Sequence, residues 1–343
     1  MYNIFSAPIK QFCSFLFAST LILMSCKETD EVSTPGSQFV VINTLDSHTN
    51  FSLYDYPTDN LNERFYTTDS ETSVFGANRK GNHIYIATDF FTPGKTLRKV
   101  DITAGSQVKS VETWFSPAEN KPCLIDFGAT SVILCAMDNS YRLHIKKYDE
   151  NLSLVDSLIQ QNVTSLASIK VANEKLFIGA PLFDNNFNPT GFFIRVVDLN
   201  SMNLVKDIKT TELCSRFISM NNNQLWISQG NNFAILDTET LEISNVAKSA
   251  STYTAPDVTG KIQYTIQNGY PSNALIAYNL DNGESSEIAK ISRDFSNPIA
   301  YDEKAQAIVC SGGANGGLVI FSKDGKILRQ VKTPPHTSFI CIK

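Results

Sequence analysis

Apolar runs recur along this chain at a nearly constant spacing. The strongest begin at Phe39 (FVVIN), Ile84 (IYIAT), Val132 (VILCA), Leu176 (LFIGA), Leu225 (LWISQ), Ile262 (IQYTI) and Ala307 (AIVCS), at intervals of 45, 48, 44, 49, 37 and 45 residues. Each run is short, rich in β-branched or aromatic residues and bounded by turn formers, which is the pattern of a buried strand. Each leads through a polar loop into a second apolar strand that ends in a polar hairpin: FSLYDYPTDN, LRKVDITAG, LHIKKYDENL, FIRVVDLNSMNL, FAILDTETL, LIAYNLDNG and LVIFSKDGK. The Asp, Asn, Thr and Gly residues there favour tight turns. A third strand follows, as in Val108–Glu112, Val205–Ile208 and Ile327–Val331.

A strand and a tight polar turn also precede the apolar runs, as in RFISMNNNQLWIS, SIKVANEKLFIG, LIDFGATSVILC and PIAYDEKAQAIVC. Four strands, a to d, in about 45 residues have the size and content of a β-propeller blade. Six units are complete from around Ser73 onward. The N-terminal unit has strands b, c and d within residues 38–66 but lacks a. The chain ends in TSFICIK, which matches in place and pattern the a strand SRFISM, Ser215–Met220. The expected fold is therefore all-β: a seven-bladed propeller of four-stranded antiparallel blades, closed by the C-terminal strand pairing in the N-terminal blade, which removes an open edge. Regular spacing and the lack of any long 3.6-residue pattern weigh against two β-sandwiches or a partly helical second domain.

The first residues follow other rules. One basic residue, Lys10, precedes an apolar run from Phe12 to Met24, too short to span a membrane as a helix, and the run ends in Leu23-Met24-Ser25-Cys26. This resembles a bacterial lipobox, which implies lipidation of Cys26. The acidic Lys27-Glu28-Thr29-Asp30-Glu31 segment that follows resembles the signal that sends Bacteroidota lipoproteins to the outer face of the outer membrane. The expected organisation is a signal peptide over 1–25, a lipidated flexible tether over 26–37 and the propeller over 38–343.

Charge and cysteine chemistry narrow the reading. The formal net charge is −5, and −6 without Lys10, so no attraction to nucleic acid is expected, and membrane contact is assigned to the lipid. Beyond Cys13 and Cys26, the thiols Cys123, Cys135, Cys214, Cys310 and Cys341 lie in or beside apolar runs without a Cys-x-x-Cys pair, as buried free thiols do. One candidate disulfide stands out: a hairpin centred on Gly128-Ala129-Thr130 would bring Cys123 and Cys135 face to face.

With these repeats, lipobox and tether, the chain resembles the seven-bladed propeller lipoproteins of Bacteroidota, related to YVTN-type repeat propellers. Within that family BtuG-like and siderophore-capturing propellers cap TonB-dependent transporters and hand over scarce ligands. The resemblance implies a surface-exposed outer-membrane lipoprotein that binds a corrinoid, metallophore or similar nutrient for such a transporter, without catalysis and without a cofactor. A protein- or glycan-binding adhesion module and, more remotely, a propeller hydrolase or quinoprotein are the other readings. Adhesion and nutrient capture both call for a small-molecule, glycan or protein ligand on one face.

Propeller geometry says which face. The b–c loops and d–a connections meet around one mouth of the channel and here are long and varied: residues 87–96, 136–142, 180–192, 267–273 and 311–317. Trp114, Phe115, Arg216, Tyr253, Arg293 and His336 fall in the d–a connections and are the candidate ligand contacts, through stacking and bidentate hydrogen bonds. The alternative is that Trp114 and Tyr253 pack between blades and the arginines are simply solvated. The four histidines, His48, His83, His144 and His336, are scattered without metal-ligand spacing, and His144 reads as a structural strand residue. SGGANGG, 311–317, opens no helix, so a phosphate cradle lacks its context. Asp184-Asn185-Asn186-Phe187-Asn188 spaces oxygens as a calcium loop does, but Pro189 and Arg195 stand where an EF-hand needs Gly and Glu, and no metal is assigned.

Overall fold

The computed structural model describes residues 38–342 except 45–48, 69–71, 91–95, 114–122, 139, 141, 161–162, 164, 184–188, 220–222, 230–231, 249–253, 257–260, 280, 313–315 and 335–336. The described residues form strands and no helix, so no helix among them is long and apolar enough to cross a membrane.

Seven four-stranded antiparallel sheets account for all the described strands. Blade 1 contains β1 (Gln38–Thr44), β2 (Thr49–Asp55) and β3 (Asn60–Thr67), with β28 (Thr337–Ile342) on its inner side. Blade 2 is β4 (Thr72–Lys80), β5 (His83–Phe90), β6 (Thr96–Asp101) and β7 (Ser106–Glu112). Blade 3 is β8 (Cys123–Phe127), β9 (Ser131–Met137), β10 (Leu143–Asp149) and β11 (Leu154–Gln160); blade 4 is β12 (Ser168–Ala172), β13 (Lys175–Phe183), β14 (Pro189–Asp198) and β15 (Asn203–Thr210). Blade 5 is β16 (Cys214–Ser219), β17 (Gln224–Gln229), β18 (Asn232–Asp237) and β19 (Ile243–Lys248); blade 6 is β20 (Thr254–Pro256), β21 (Ile262–Gln267), β22 (Asn273–Asn279) and β23 (Ser285–Ile291). Blade 7 is β24 (Ser296–Asp302), β25 (Ala307–Ser311), β26 (Leu318–Ser322) and β27 (Ile327–Val331). The seven strong apolar runs are the b strands, and the ring closes as their spacing predicts: β28 pairs with β1, Val41 opposite Ile340.

The c–d hairpins repeat one device. The last residue of the c strand is Asp55, Asp101, Asp149, Asp198, Asp237, Asn279 or Ser322, and most of these side chains accept backbone N–H bonds from the turn. Three or four residues on, the chain takes a left-handed conformation at Asp59, Gly105, Leu152, Met202, Leu241, Gly283 and Gly325. Such a φ disfavours a side chain with a Cβ, yet Leu152, Met202 and Leu241 are buried there in the clusters between blades. Burial of a large apolar side chain offsets the strain. Where the neighbouring backbone comes too close, Gly stands instead: a Cβ on Gly325 would lie 1.9 Å from the Ile288 carbonyl oxygen.

Alternation along each central strand sends one set of side chains to the preceding blade and the other to the next. Apolar clusters fill six of the seven seams. Ile42 and Ile86 anchor the one between blades 1 and 2, Tyr85 and Leu134 the next, and Ile145 and Ile178 that between blades 3 and 4. Phe177 and Ile227 join blades 4 and 5, Tyr264 and Ile308 join 6 and 7, and Phe39 and Ile320 join 7 and 1. Between blades 5 and 6 the described cluster shrinks to Trp226 and Phe233, with Ile235 and Tyr278 against them.

Register corrects one sequence expectation. Gly128 N–H bonds to the Ser131 carbonyl, so the β8–β9 hairpin sets Leu124, not Cys123, opposite Cys135. A one-residue offset reverses the face. Cys123 packs in the seam between blades 2 and 3, Cys135 in the seam between blades 3 and 4, and both are buried outside any disulfide. Residues 184–188 of the calcium-loop pattern lie outside the described residues, and Arg195, at its far end, lies inside β14 with its guanidinium bidentate on Asp207 across the sheet at 2.8 and 2.7 Å.

Candidate functional site

The antiparallel order places a–b and c–d turns at one end of every blade and the b–c loops and d–a connections at the other. Of the sequence-derived candidates, Trp114, Phe115, Tyr253, His336 and Cys26 lie outside the described residues. Arg216 and Arg293 are described, on different blades, and the structure does not bring them together.

Arg293 stands in the connection from β23 to β24, exposed, with its guanidinium 5.6 Å from the ring centroid of Tyr270. Tyr270 is 88% exposed at the tip of the β21–β22 loop. Asn273, buried at the start of β22, braces the pair: its Oδ1 accepts from Gly269 N at 3.1 Å and its Nδ2 donates to the Phe295 carbonyl at 2.9 Å. One amide thus ties the tyrosine loop to the arginine connection. A cation over an exposed ring makes a ready platform for a flat or anionic group. Sequence reading missed Tyr270, although its setting in Asn268-Gly269-Tyr270-Pro271-Ser272 marks it as a lone aromatic among turn formers.

Arg216 pairs across strands with Ser228, both on the side of blade 5 that faces blade 6. Its neighbour Cys214 is buried, which pushes the thiol up to about 12 and removes it from thiolate chemistry near neutral pH.

Blade 3 carries a third polar group on this face. Asp138, buried at the end of β9, accepts from Arg142 Nε at 2.7 Å, lies 2.9 Å from His144 Nε2, and accepts from the backbone N–H groups of Ser140 and Arg142 at 2.9 Å. Burial alone would raise its pKa, but the bonds from His144 and Arg142 outweigh it and hold the carboxyl well below the usual range. His144 is thus a bonded structural residue, as its strand position predicts.

Buried basic residues elsewhere turn out to be structural. Arg98, Lys146 and Arg195 occupy the same place in three successive c strands, three residues before the turn-capping Asp. Arg98 and Arg195 reach the outer strand of the preceding blade, Arg98 Nη1 to Tyr66 Oη at 3.4 Å and Arg195 Nη1 to Gln160 Oε1 at 3.3 Å, and Lys146 Nζ donates to the carbonyl of Thr113, one residue past β7. Burial lowers the Lys146 pKa. Among the described residues no three His, Cys, Asp or Glu side chains gather as a metal site.

No protein family profile matches the chain, and no curated protein does. Solved structures do. A protein from Bacteroides uniformis designated a candidate 6-phosphogluconolactonase aligns with a TM-score of 0.63 at 9% identity, over 90% of this chain and 99% of that one. A quinonprotein alcohol dehydrogenase-like protein from Bacteroides thetaiotaomicron aligns at 0.62 and 14%, over 90% and 78%. A protein from Lactobacillus plantarum aligns at 0.61 and 13%, over 90% and 99%. At these identities the likeness carries the propeller fold and no activity.

Proposed function

We propose that this propeller is a non-catalytic, lipid-anchored binding protein of the outer membrane whose loop-bearing face captures a small polar nutrient, such as a corrinoid or metallophore, for a TonB-dependent transporter. The exposed Tyr270–Arg293 pair carries the reading, because a braced but solvent-facing cation and ring have no packing role to explain them. The buried acid on that face, Asp138, is already bonded to Arg142 and His144, which leaves that group little for proton transfer. The lipobox at Cys26 and the acidic tether support the address.

Native mass spectrometry of the protein extracted from membranes should find a retained polar molecule, lost in Tyr270→Ala and Arg293→Ala. Identical spectra for wild type and both variants would remove this face as the site. Cys26→Ser should abolish palmitate labelling and membrane retention; a wild type that never takes up labelled palmitate would refute the anchor.

The adhesion reading draws on a different surface. Val108, Leu154, Val155, Leu204 and Val205 are exposed on β7, β11 and β15, the outer strands of three consecutive blades. Ligand retention that survives Tyr270→Ala but fails in Val155→Asp would favour a protein partner on the rim.

A further inference from the structure

Among the described residues, apolar clusters fill six seams of the ring, whereas between blades 5 and 6 the described cluster is Trp226 and Phe233 with Ile235 and Tyr278 against them. In β21, Ile262, Tyr264 and Ile266 face blade 7, so Gln263 and Thr265 face blade 5. Gln263 pairs across strands with Tyr278, which packs on Trp226, and Ser228 pairs with Phe233 of the same cluster. Gln263 is 0%, Ser228 1% and Trp226 4% exposed. Yet Gln263 Nε2 and Oε1, Ser228 Oγ and Trp226 Nε1 have no hydrogen-bond partner within the protein. Two donors, an acceptor and a hydroxyl that serves as either are thus buried in one seam without a partner from the protein, and a buried polar group is costly unless its bonds are made. Among the described residues no other seam combines so small an apolar cluster with so many unpaired atoms.

We propose that this seam is a latent polar site, opening from the loop-bearing face beside Arg216 and taking small neutral solutes that carry an amide or hydroxyl group. Opening lets such a solute, or water, supply the bonds that the closed seam lacks, so it costs less here than at an apolar seam. The four unpaired atoms belong to uncharged side chains, and an amide offers both the donor and the acceptor that Gln263 and Ser228 need. The indole of Trp226 reports directly on entry.

The chain has two tryptophans, so Trp114→Phe leaves Trp226 as the sole indole. Acrylamide, itself a neutral amide, is the probe. It should quench Trp226 fluorescence in the Trp114→Phe protein, and the quenching constant should fall severalfold when Gln263→Leu or Ser228→Ala removes unpaired polar atoms. The same substitutions should raise Tm by about 2 °C each, the reverse of the usual effect of a buried substitution. Ser228→Ala removes a single oxygen and keeps the test open should Gln263→Leu fail to fold. Quenching that falls together with a rise in Tm supports the site; unchanged quenching, or a Tm that drops, overturns it.

Discussion

Ile340, in the last strand of the chain, stands opposite Val41, in the first strand described. Ile340 also packs against the cluster between blades 7 and 1, while β28 touches both β24 and β4. The C-terminal strand is thus a clasp. Deleting residues 337–343 exposes the inner edge of β1, whose Val40, Val41 and Ile42 are buried, and removes the packing of Ile340 against the cluster between blades 7 and 1. The truncated protein should melt more than about 10 °C below wild type by calorimetry, whereas removing residues 32–37 should leave Tm within about 2 °C. Equal melting of the two deletions would refute the closure.

Two tight turns, the c–d turn of blade 7 and the a–b turn of blade 2, predict an ordered pair of glycine effects. Gly325 and Gly81 both have positive φ, 82° and 58°, but a Cβ meets the Ile288 carbonyl oxygen in the first case and nothing within 4 Å in the second. Gly81→Ala should therefore cost about 1–2 kcal/mol, the left-handed conformation alone. Gly325→Ala should cost at least about 3 kcal/mol, because backbone must move as well. Urea unfolding midpoints measure both, and equal midpoints would show that the hairpin yields freely.

Asp138 should make stability sensitive to acid. Its folded pKa lies below its unfolded value, so the carboxylate's contribution is complete at neutral pH and is lost as pH falls below about 4 and through the folded value. Asp138→Asn should destabilise by about 1.5–3 kcal/mol at pH 7, the range for hydrogen bonds to a charged group. The gap between the two proteins should stay constant from about pH 8 to pH 5 and narrow below about pH 4. A gap that widens on acidification would mean that Asp138 is protonated in the fold.

The thiols should be silent. Cys123, Cys135, Cys214 and Cys310 are buried, and burial pushes the Cys310 thiol up to about 12 and that of Cys135 well above its ordinary value. Iodoacetamide at about pH 8 should leave all four unlabelled in the native protein and label all four after unfolding, by peptide mapping. Reductant should not shift Tm. A Cys123–Cys135 cross-linked peptide from unreduced protein would contradict the register of β8 and β9.

The fold was legible because a blade is a local unit: four strands in about 45 residues, each b strand buried on both faces and therefore largely apolar, each hairpin marked by its turn chemistry. The missing a strand and the apolar C-terminus fit each other for the same reason, since an exposed edge and a loose apolar tail are both costly. Sequence also placed Arg293 on the loop-bearing face. What it did not determine was anything that depends on which side of a strand faces which neighbour. A shift of one residue at the Gly128 turn separates Cys123 from Cys135, and only the tertiary structure fixes that shift. Likewise Arg98, Lys146 and Arg195 read as scattered charges until the blades stack and each finds the blade before it. Asn273 binds two connections that are distant in sequence, and Gln263 lies within an unremarkable strand until β17 closes against it. Strand pattern is written residue by residue, but a seam or a loop-bearing face is made of several blades at once, so its chemistry appears only when the ring has closed.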